Sequence, residues 1–119
     1  MLDFVTDISE LEQNASLATA LLKSMANERR LLILCHLANG EKTVGELERV
    51  IGVSQSALSQ HLAILRREDL VATRRSAQSI YYSIAEGKAT SMMDTLYDIY
   101  CGAIEAAANG GRELVDAAE

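Results

Sequence analysis

"SQSALSQHLAILRRE" (residues 54–68) contains the most informative helical pattern in the sequence. Its Leu58, Leu62 and Leu65 fall at i, i+4 and i+7, the spacing that places apolar side chains on one face of a helix. The first two turns carry short or amide-bearing side chains instead: Gln55, Ser56, Ser59, Gln60 and His61. A face that met only solvent would more usually carry Glu and Lys, which are better helix formers. The stretch therefore predicts a helix with one buried face and one hydrogen-bonding face.

The segments on either side of this helix complete a motif. "TVGELERVIG" (residues 43–52) predicts a short helix that begins at a capping box formed by Thr43 and Glu46 and ends at Gly52. Two short helices joined by a glycine-containing turn form a helix-turn-helix. "LVATRRSAQSIYYSI" (residues 70–84) then alternates in polarity and predicts two strands with "RRSAQS" at their tip. A wing therefore follows the helix-turn-helix.

Three further helices are predicted around this unit. The first runs from Ser9 to about Met25, the second from Asn27 to Gly40, and the last from about Glu86 towards Ala108. We expect a flexible N-terminus at residues 1–8, one domain at residues 9–108, and a C-terminal tail at residues 109–119. The predicted fold is mainly α with a small β-hairpin wing, a winged helix-turn-helix of four helices, two strands and a fifth helix.

Composition limits the class of protein. The chain has 119 residues, no proline and two cysteines, and no stretch resembles a signal peptide or a membrane span, so we expect a soluble cytoplasmic protein with no membrane partner. The net charge is −6, but six basic and four acidic residues lie between Lys42 and Tyr82, which leaves +2 there and −8 elsewhere. A basic middle on an acidic body is compatible with a DNA-binding unit.

The hydrogen-bonding face predicts contact with DNA. The second helix of a helix-turn-helix enters the major groove, where Gln pairs with adenine and Ser reaches a base edge or a phosphate. The candidate DNA-binding residues are Ser54, Gln55, Ser56, Ser59, Gln60, Arg66, Arg67, Arg74, Arg75 and Gln78. His61 either packs between Leu58 and Leu65 or contacts DNA. The alternatives are a solvated polar helix on a small α+β domain and an interaction module that binds no DNA.

Three segments carry a resemblance to a known family. "ANERRLLILCHL", "VGELERVIGVSQSALSQHLAILRREDLV" and "RRSAQSIYYSI" resemble the ArsR/SmtB family of dimeric winged-helix repressors over about residues 15–104. The resemblance implies a homodimer in which the first and last helices pair across the interface. It also implies that Gln55, Ser56, Ser59 and Gln60 read a pseudo-palindromic double-stranded operator.

Both metal sites that are common in this family lack their ligands here. Thr43 and Gly45 stand where one site has its cysteines, and the last helix has no histidine beside Asp94 and Asp98. Two carboxylates alone make a poor transition-metal site. We therefore expect no metal and no cofactor, and we keep a metal-sensing repressor as the less favoured alternative.

The two cysteines remain to be explained. From the residues alone, Cys35 lies in an apolar run and free cysteine is often a small buried hydrophobe. Through "ANERRLLILC" and "LYDIYC" the chain also resembles a sulfide-responsive subgroup of the family, which implies that Cys35 and Cys101 form a dithiol switch. Reactive sulfur species would bridge them and abolish operator binding. The alternatives are a sensor of general oxidants through a disulfide, and a thiol enzyme, which we disfavour because both cysteines lie within helices. The sequence does not identify the attacking sulfur.

Overall fold

The computed structural model describes residues 4–102 of the chain, so the predicted C-terminal tail and the end of the last predicted helix lie outside the described residues. The architecture is a mostly helical winged helix-turn-helix, which confirms the predicted fold class. The elements in chain order are α1 (Phe4–Gln13), α2 (Ala15–Met25), α3 (Glu28–Leu37), β1 (Lys42–Thr43), α4 (Val44–Ile51), α5 (Gln55–Arg67), β2 (Val71–Ser76), β3 (Ser79–Ile84), α6 (Lys88–Tyr97) and a π-helical turn (Asp98–Gly102).

The core lies where α3, α4 and α5 meet. Its largest side chains without solvent exposure are Ile33, Leu34, Leu47, Leu58, Leu62, Leu65 and Leu70. Burial of each such side chain stabilises the fold by about 1.5–3 kcal/mol before entropy is counted. The three leucines of α5 that the spacing placed on one face are all buried, which fixes the orientation of the opposite face towards solvent.

The wing belongs to a three-stranded antiparallel sheet with strand order β1-β3-β2. The sequence predicted only two strands. The third, β1, has two residues, Lys42 and Thr43, which pair with Tyr82 and Tyr81 of β3. Because two residues carry no periodicity, nothing local marks them as a strand. Their pairing joins the wing to the start of α4.

The predicted single helix from Ser9 to Met25 is wrong in two respects. The helix begins at Phe4, so Ser9 is not its cap and residues 4–8 belong to α1; residues 1–3 lie outside the described part. The helix is also interrupted at Asn14, whose side-chain Nδ2 donates to the carbonyl oxygen of Glu10 at 3.0 Å. Asparagine side chains compete in this way with backbone hydrogen bonds and favour helix ends.

The predicted last helix also differs. It begins at Lys88 rather than Glu86, and after Tyr97 the backbone adopts a π-helical turn over Asp98–Gly102 instead of continuing as a regular α-helix. Single π-helical turns are rare and occur frequently at functional sites. This turn contains Cys101.

None of the helices within residues 4–102 has the length and apolar character needed to cross a bilayer.

Candidate nucleic-acid interface and thiol pair

Local hydrogen bonds build the helix-turn-helix. At the start of α4 the backbone N–H of Thr43 donates to Glu46 Oε1 at 2.9 Å, and the N–H of Glu46 donates to Thr43 Oγ1 at 3.2 Å, as the capping box predicted. The backbone donor of Thr43 also lowers the pKa of the Glu46 carboxyl. Helix α4 ends at Gly52, whose φ of 78° is in the left-handed region that glycine adopts without strain. The chain can therefore turn sharply into α5.

The first turn of α5 is fixed by Ser54. Its Oγ accepts a hydrogen bond from the backbone N–H of Ala57 at 3.2 Å, so this hydroxyl serves as the N-cap of α5. Replacement of such a cap by alanine costs about 1 kcal/mol. Of the predicted DNA-binding residues, Ser54 therefore has a clear structural role at the entrance of the helix.

The outer face of α5 is polar and accessible. Gln55, Ser56, Ser59 and Gln60 are exposed, and none of their side chains forms a hydrogen bond with another residue in the described range 4–102. Their donors and acceptors are therefore available to base edges. The structure thus brings these four predicted residues together on one face.

The C-terminal half of α5 borders a groove between this helix and the sheet. The groove has a volume of about 370 Å³ and is lined by Val44, Ser59, Leu62, Ala63, Arg66, Arg67 and Tyr82. Arg66 and Arg67 are exposed. Their guanidinium groups stand beside the hydrogen-bonding face, where they suit contacts with phosphate oxygens.

The predicted DNA-binding residues of the wing lie in different environments. Arg75 and Gln78 are exposed near the tip, where Ala77 turns the chain with a positive φ of 57°. Arg74 instead forms an ion pair with Glu41: its Nη2 lies 2.6 Å from Glu41 Oε1. That partner raises the pKa of the Arg74 guanidinium, and the same hydrogen bonds lower the pKa of the Glu41 carboxyl. No local pattern pointed to Glu41 as the partner, because it lies 33 positions away along the chain.

His61 is half-buried against Arg30 of α3 and is not free on the hydrogen-bonding face. Arg30 Nη1 donates to His61 Nδ1 at 3.3 Å, while Arg30 Nε donates to the carbonyl oxygen of Ser24 at 2.6 Å. Because arginine has only donors, Nδ1 must accept and the neutral ring carries its proton on Nε2. Shielding from water, followed by the charges of Arg30 and Arg29, lowers the pKa of His61. The packing interpretation therefore fits His61, and Arg30 is a contact that sequence reasoning missed.

Both cysteines are exposed free thiols, Cys35 on α3 and Cys101 in the π-helical turn. The expectation that Cys35 is a buried hydrophobe is wrong, because its position in α3 faces away from Ile33, Leu34 and Leu37. Partial shielding from water raises the pKa of the Cys35 thiol, and the charge of Cys101 raises it further.

The described residues 4–102 contain no group of three or more His, Cys, Asp and Glu side chains arranged to hold a metal ion.

Comparisons with known proteins identify the family. The family model described as "Bacterial regulatory protein, arsR family" matches residues 27–73. The chain is 50% identical over 97 residues to the transcriptional activator HlyU of Vibrio cholerae, covering 82% of this chain and 90% of HlyU. It is 41% identical over 92 residues to the biofilm growth-associated repressor of Xylella fastidiosa, covering 77% of this chain and 81% of that protein.

A solved structure agrees with the sequence matches. Reduced HlyU from Vibrio cholerae superimposes with a TM-score of 0.71 at 51% sequence identity, covering 77% of this chain and 97% of that one. The fold, the polar face of α5 and these relatives lead to one conclusion: the chain belongs to the arsR family of bacterial regulatory proteins and is a helix-turn-helix transcriptional regulator.

Proposed function

We propose that the protein is a homodimeric repressor that binds a pseudo-palindromic operator while Cys35 and Cys101 are reduced thiols. In this proposal, reactive sulfur species bridge the two cysteines and DNA is released. The observation that carries the proposal is the pair of exposed free thiols, one on α3 and one in the π-helical turn after α6, in a domain whose α5 presents an unpaired hydrogen-bonding face.

DNA recognition rests on α5. Its N-terminal residues Gln55, Ser56, Ser59 and Gln60 contact base edges in the major groove, and Arg66 and Arg67 contact phosphates. Ser54 holds the first turn of α5 in place. Two such helices in a symmetric dimer read half-sites about 34–36 Å apart, one turn of DNA, so the proposed operator is pseudo-palindromic.

Exposed apolar side chains support the dimer. Large apolar side chains lie at the surface of α1, α2, α6 and the π-helical turn: Ile8, Leu11, Leu17, Leu22, Tyr97, Ile99 and Tyr100. Leu17 is 71% exposed in the single chain. Monomeric proteins rarely expose large contiguous apolar patches. A second copy that buries α1, α2 and the end of α6 accounts for these residues.

The bridge forms by two sulfur transfers and one displacement. A low-molecular-weight persulfide, RSSH, donates its outer sulfur to a cysteine thiolate, which becomes a persulfide while RS⁻ leaves. When Cys35 and Cys101 both carry a persulfide, the terminal sulfur of one attacks Sγ of the other and HS⁻ leaves. The product is a three-sulfur bridge. The two transferred sulfurs are the oxidant for the two thiols: one stays in the bridge and the other leaves as HS⁻. The raised pKa of the Cys35 thiol lowers its thiolate fraction and slows its reaction with the persulfide donor.

A bridge between α3 and the end of α6 changes the protein at two places that DNA binding needs. Helix α3 contacts α5 in the core, and α6 carries part of the apolar surface assigned to the dimer. Because the half-site spacing is fixed by the DNA, a shift of one α5 relative to the other weakens both sets of base contacts at once.

General oxidants are the second candidate inducers. A peroxide converts a thiolate to a sulfenic acid. The other thiol then attacks the sulfenic sulfur, the hydroxyl group leaves as water, and a disulfide forms. A disulfide requires Cα atoms within about 7 Å. The three-sulfur bridge has a longer reach, so we expect persulfides to act more completely than peroxide.

The experiment measures operator affinity of the reduced protein before and after treatment with a persulfide donor or hydrogen peroxide. We expect release by the persulfide donor in the wild type, and undiminished binding after treatment in Cys35→Ser and in Cys101→Ser. A variant with one cysteine that still releases DNA completely would overturn the two-cysteine switch. Added zinc tests the metal-sensing alternative: under reducing conditions it should leave operator affinity unchanged.

A separate test asks whether the protein represses or activates transcription, because the relatives include one protein described as an activator and one described as a repressor. Deletion of the gene should raise transcription from a reporter fused to the bound operator. A fall in reporter activity would contradict repression and leave the DNA-binding assignment intact.

A further inference from the structure

Three side chains form a row across the outer face of the wing sheet: Glu41, Tyr81 and Arg74. Arg74 on β2 stands directly opposite Tyr81 on β3, and Glu41 immediately precedes β1 on the far side of β3. The Arg74 guanidinium carbon lies 4.6 Å from the centroid of the Tyr81 ring. Beyond the ring, Arg74 Nε lies 3.0 and 2.8 Å from the two carboxylate oxygens of Glu41. Arg74 thus reaches from β2 across β3 to the residue that precedes β1.

The neighbouring arginine points to the other face of the sheet. Successive side chains of a strand alternate between faces. Val71 is buried, and Tyr82, the register partner of Thr73, packs against the core and lines the groove beside α5. Arg75 shares the face of Val71 and Thr73, so it lies on the α5 side of the sheet, whereas Arg74 lies on the opposite side.

The two arginines also differ in whether an acidic side chain compensates their charge. Arg74 is neutralised by Glu41 in a fork geometry that matches both carboxylate oxygens, and the ring of Tyr81 adds a cation–π contact. Arg75 is exposed and has no ion pair with another described residue. A phosphate that approaches Arg74 meets the negative charge of Glu41 beside it, whereas no carboxylate within the described residues is paired with Arg75.

We propose that Arg74 is a positioning residue that ties β2 across β3 to the segment entering the helix-turn-helix, and that Arg75 is the phosphate contact of the wing. The inference rests on the proposed DNA-binding function and divides the two arginines of the wing between two roles. Glu41 then sets the angle of the wing relative to α5 and does not restrain a DNA contact.

The salt dependence of operator affinity separates the roles. Each phosphate contact contributes about 0.9 to the slope of log K against log salt, so Arg75→Ala should reduce the slope by about 1.8 for the two wings of a dimer. Arg74→Ala should leave the slope unchanged and weaken binding by about 2- to 30-fold, because two exposed ion pairs are lost. It should also speed amide hydrogen exchange in β2 and β3.

The variant Glu41→Gln distinguishes the two roles of Arg74 by the direction in which operator affinity changes. If Arg74 is the positioning residue, this variant weakens operator binding at an unchanged salt slope, as Arg74→Ala does. If Arg74 contacts phosphate, Glu41→Gln frees its charge and both the affinity and the slope increase, which would overturn the proposal. The exchanged pair E41R/R74E restores the ion pair and should recover affinity; continued loss in a folded protein also counts against the proposal.

Circular dichroism and the unfolding midpoint confirm that each variant is folded before anisotropy titration at several salt concentrations. If the wild type shows no preference for its operator over random DNA, the proposed function fails. If the wild type discriminates but Arg74→Ala lowers the slope and Arg75→Ala does not, only this inference fails.

Discussion

The replacement Gln55→Ala isolates base recognition from folding. Gln55 is exposed in the first turn of α5 and forms no side-chain hydrogen bond within the described residues 4–102. Its removal should therefore change the free energy of unfolding by no more than about 0.5 kcal/mol. A bidentate contact between an amide and adenine contributes about 1–3 kcal/mol of discrimination. That energy corresponds to a loss of about 5- to 150-fold for each half-site, and the dimer has two.

The assay is fluorescence anisotropy of labelled operator against random DNA at one fixed salt concentration, with thiols kept reduced. The wild type, Gln55→Ala and the control Asn39→Ala are compared, because Asn39 is an exposed amide side chain in the turn after α3, outside α5 and outside the surface assigned to the dimer. We expect Gln55→Ala to lose affinity for the operator while its affinity for random DNA stays the same, and Asn39→Ala to match the wild type. If Gln55→Ala discriminates as well as the wild type, the outer face of α5 is not the reading face.

Three further predictions concern the helix and its neighbours. Leu58 has no solvent exposure, so Leu58→Ala should lower the free energy of unfolding in urea by about 2–5 kcal/mol; a loss below about 1 kcal/mol would contradict the core assignment. Ser54→Asp keeps a capping acceptor for α5 but places a negative charge near the DNA, so the unfolding midpoint should hold while operator affinity falls; unchanged affinity would remove Ser54 from the interface. The folded state lowers the pKa of His61 through shielding from water and the charges of Arg30 and Arg29, so the unfolded chain binds the proton at a higher pH. Stability should therefore fall as the pH drops from neutral through the ordinary pKa of histidine, and urea unfolding of His61→Gln should lack this part of the pH dependence.

The helix-turn-helix could be predicted because its determinants are local. The capping box of Thr43 and Glu46, the left-handed Gly52 and the apolar spacing of α5 all lie within a few residues of the elements that they define. Strand β1 escaped prediction because its two residues are fixed by pairing with β3, which is distant along the chain. The interruption at Asn14 coincides with a side-chain hydrogen bond to the carbonyl oxygen of Glu10, which the apolar spacing does not signal.

The candidate site also contains some features that have a local sequence signal and others that have none. Exposure of Gln55 and its neighbours follows from the helical period, so the polar face of α5 was correctly predicted to face solvent, while its contact with DNA stays a prediction. The partner of Arg74 lies across the sheet, and the contact of Arg30 with His61 joins two helices, so neither has a local signal. The exposure of Cys35 was missed because an apolar run suggests burial all round, whereas the core covers only one side of α3.

The most direct test follows bridge formation and DNA release in the same samples. Reduced protein on labelled operator is titrated with a persulfide donor, and at each step the released fraction is compared with the fraction of protein whose peptides 31–42 and 89–112 are joined. Mass spectrometry of the tryptic digest locates the link between Cys35 and Cys101 and distinguishes a disulfide from a bridge that is one sulfur atom heavier. We expect release to rise in proportion to the Cys35–Cys101 bridge and to reach completion with it. Complete release while both cysteines remain unbridged would contradict the two-cysteine switch.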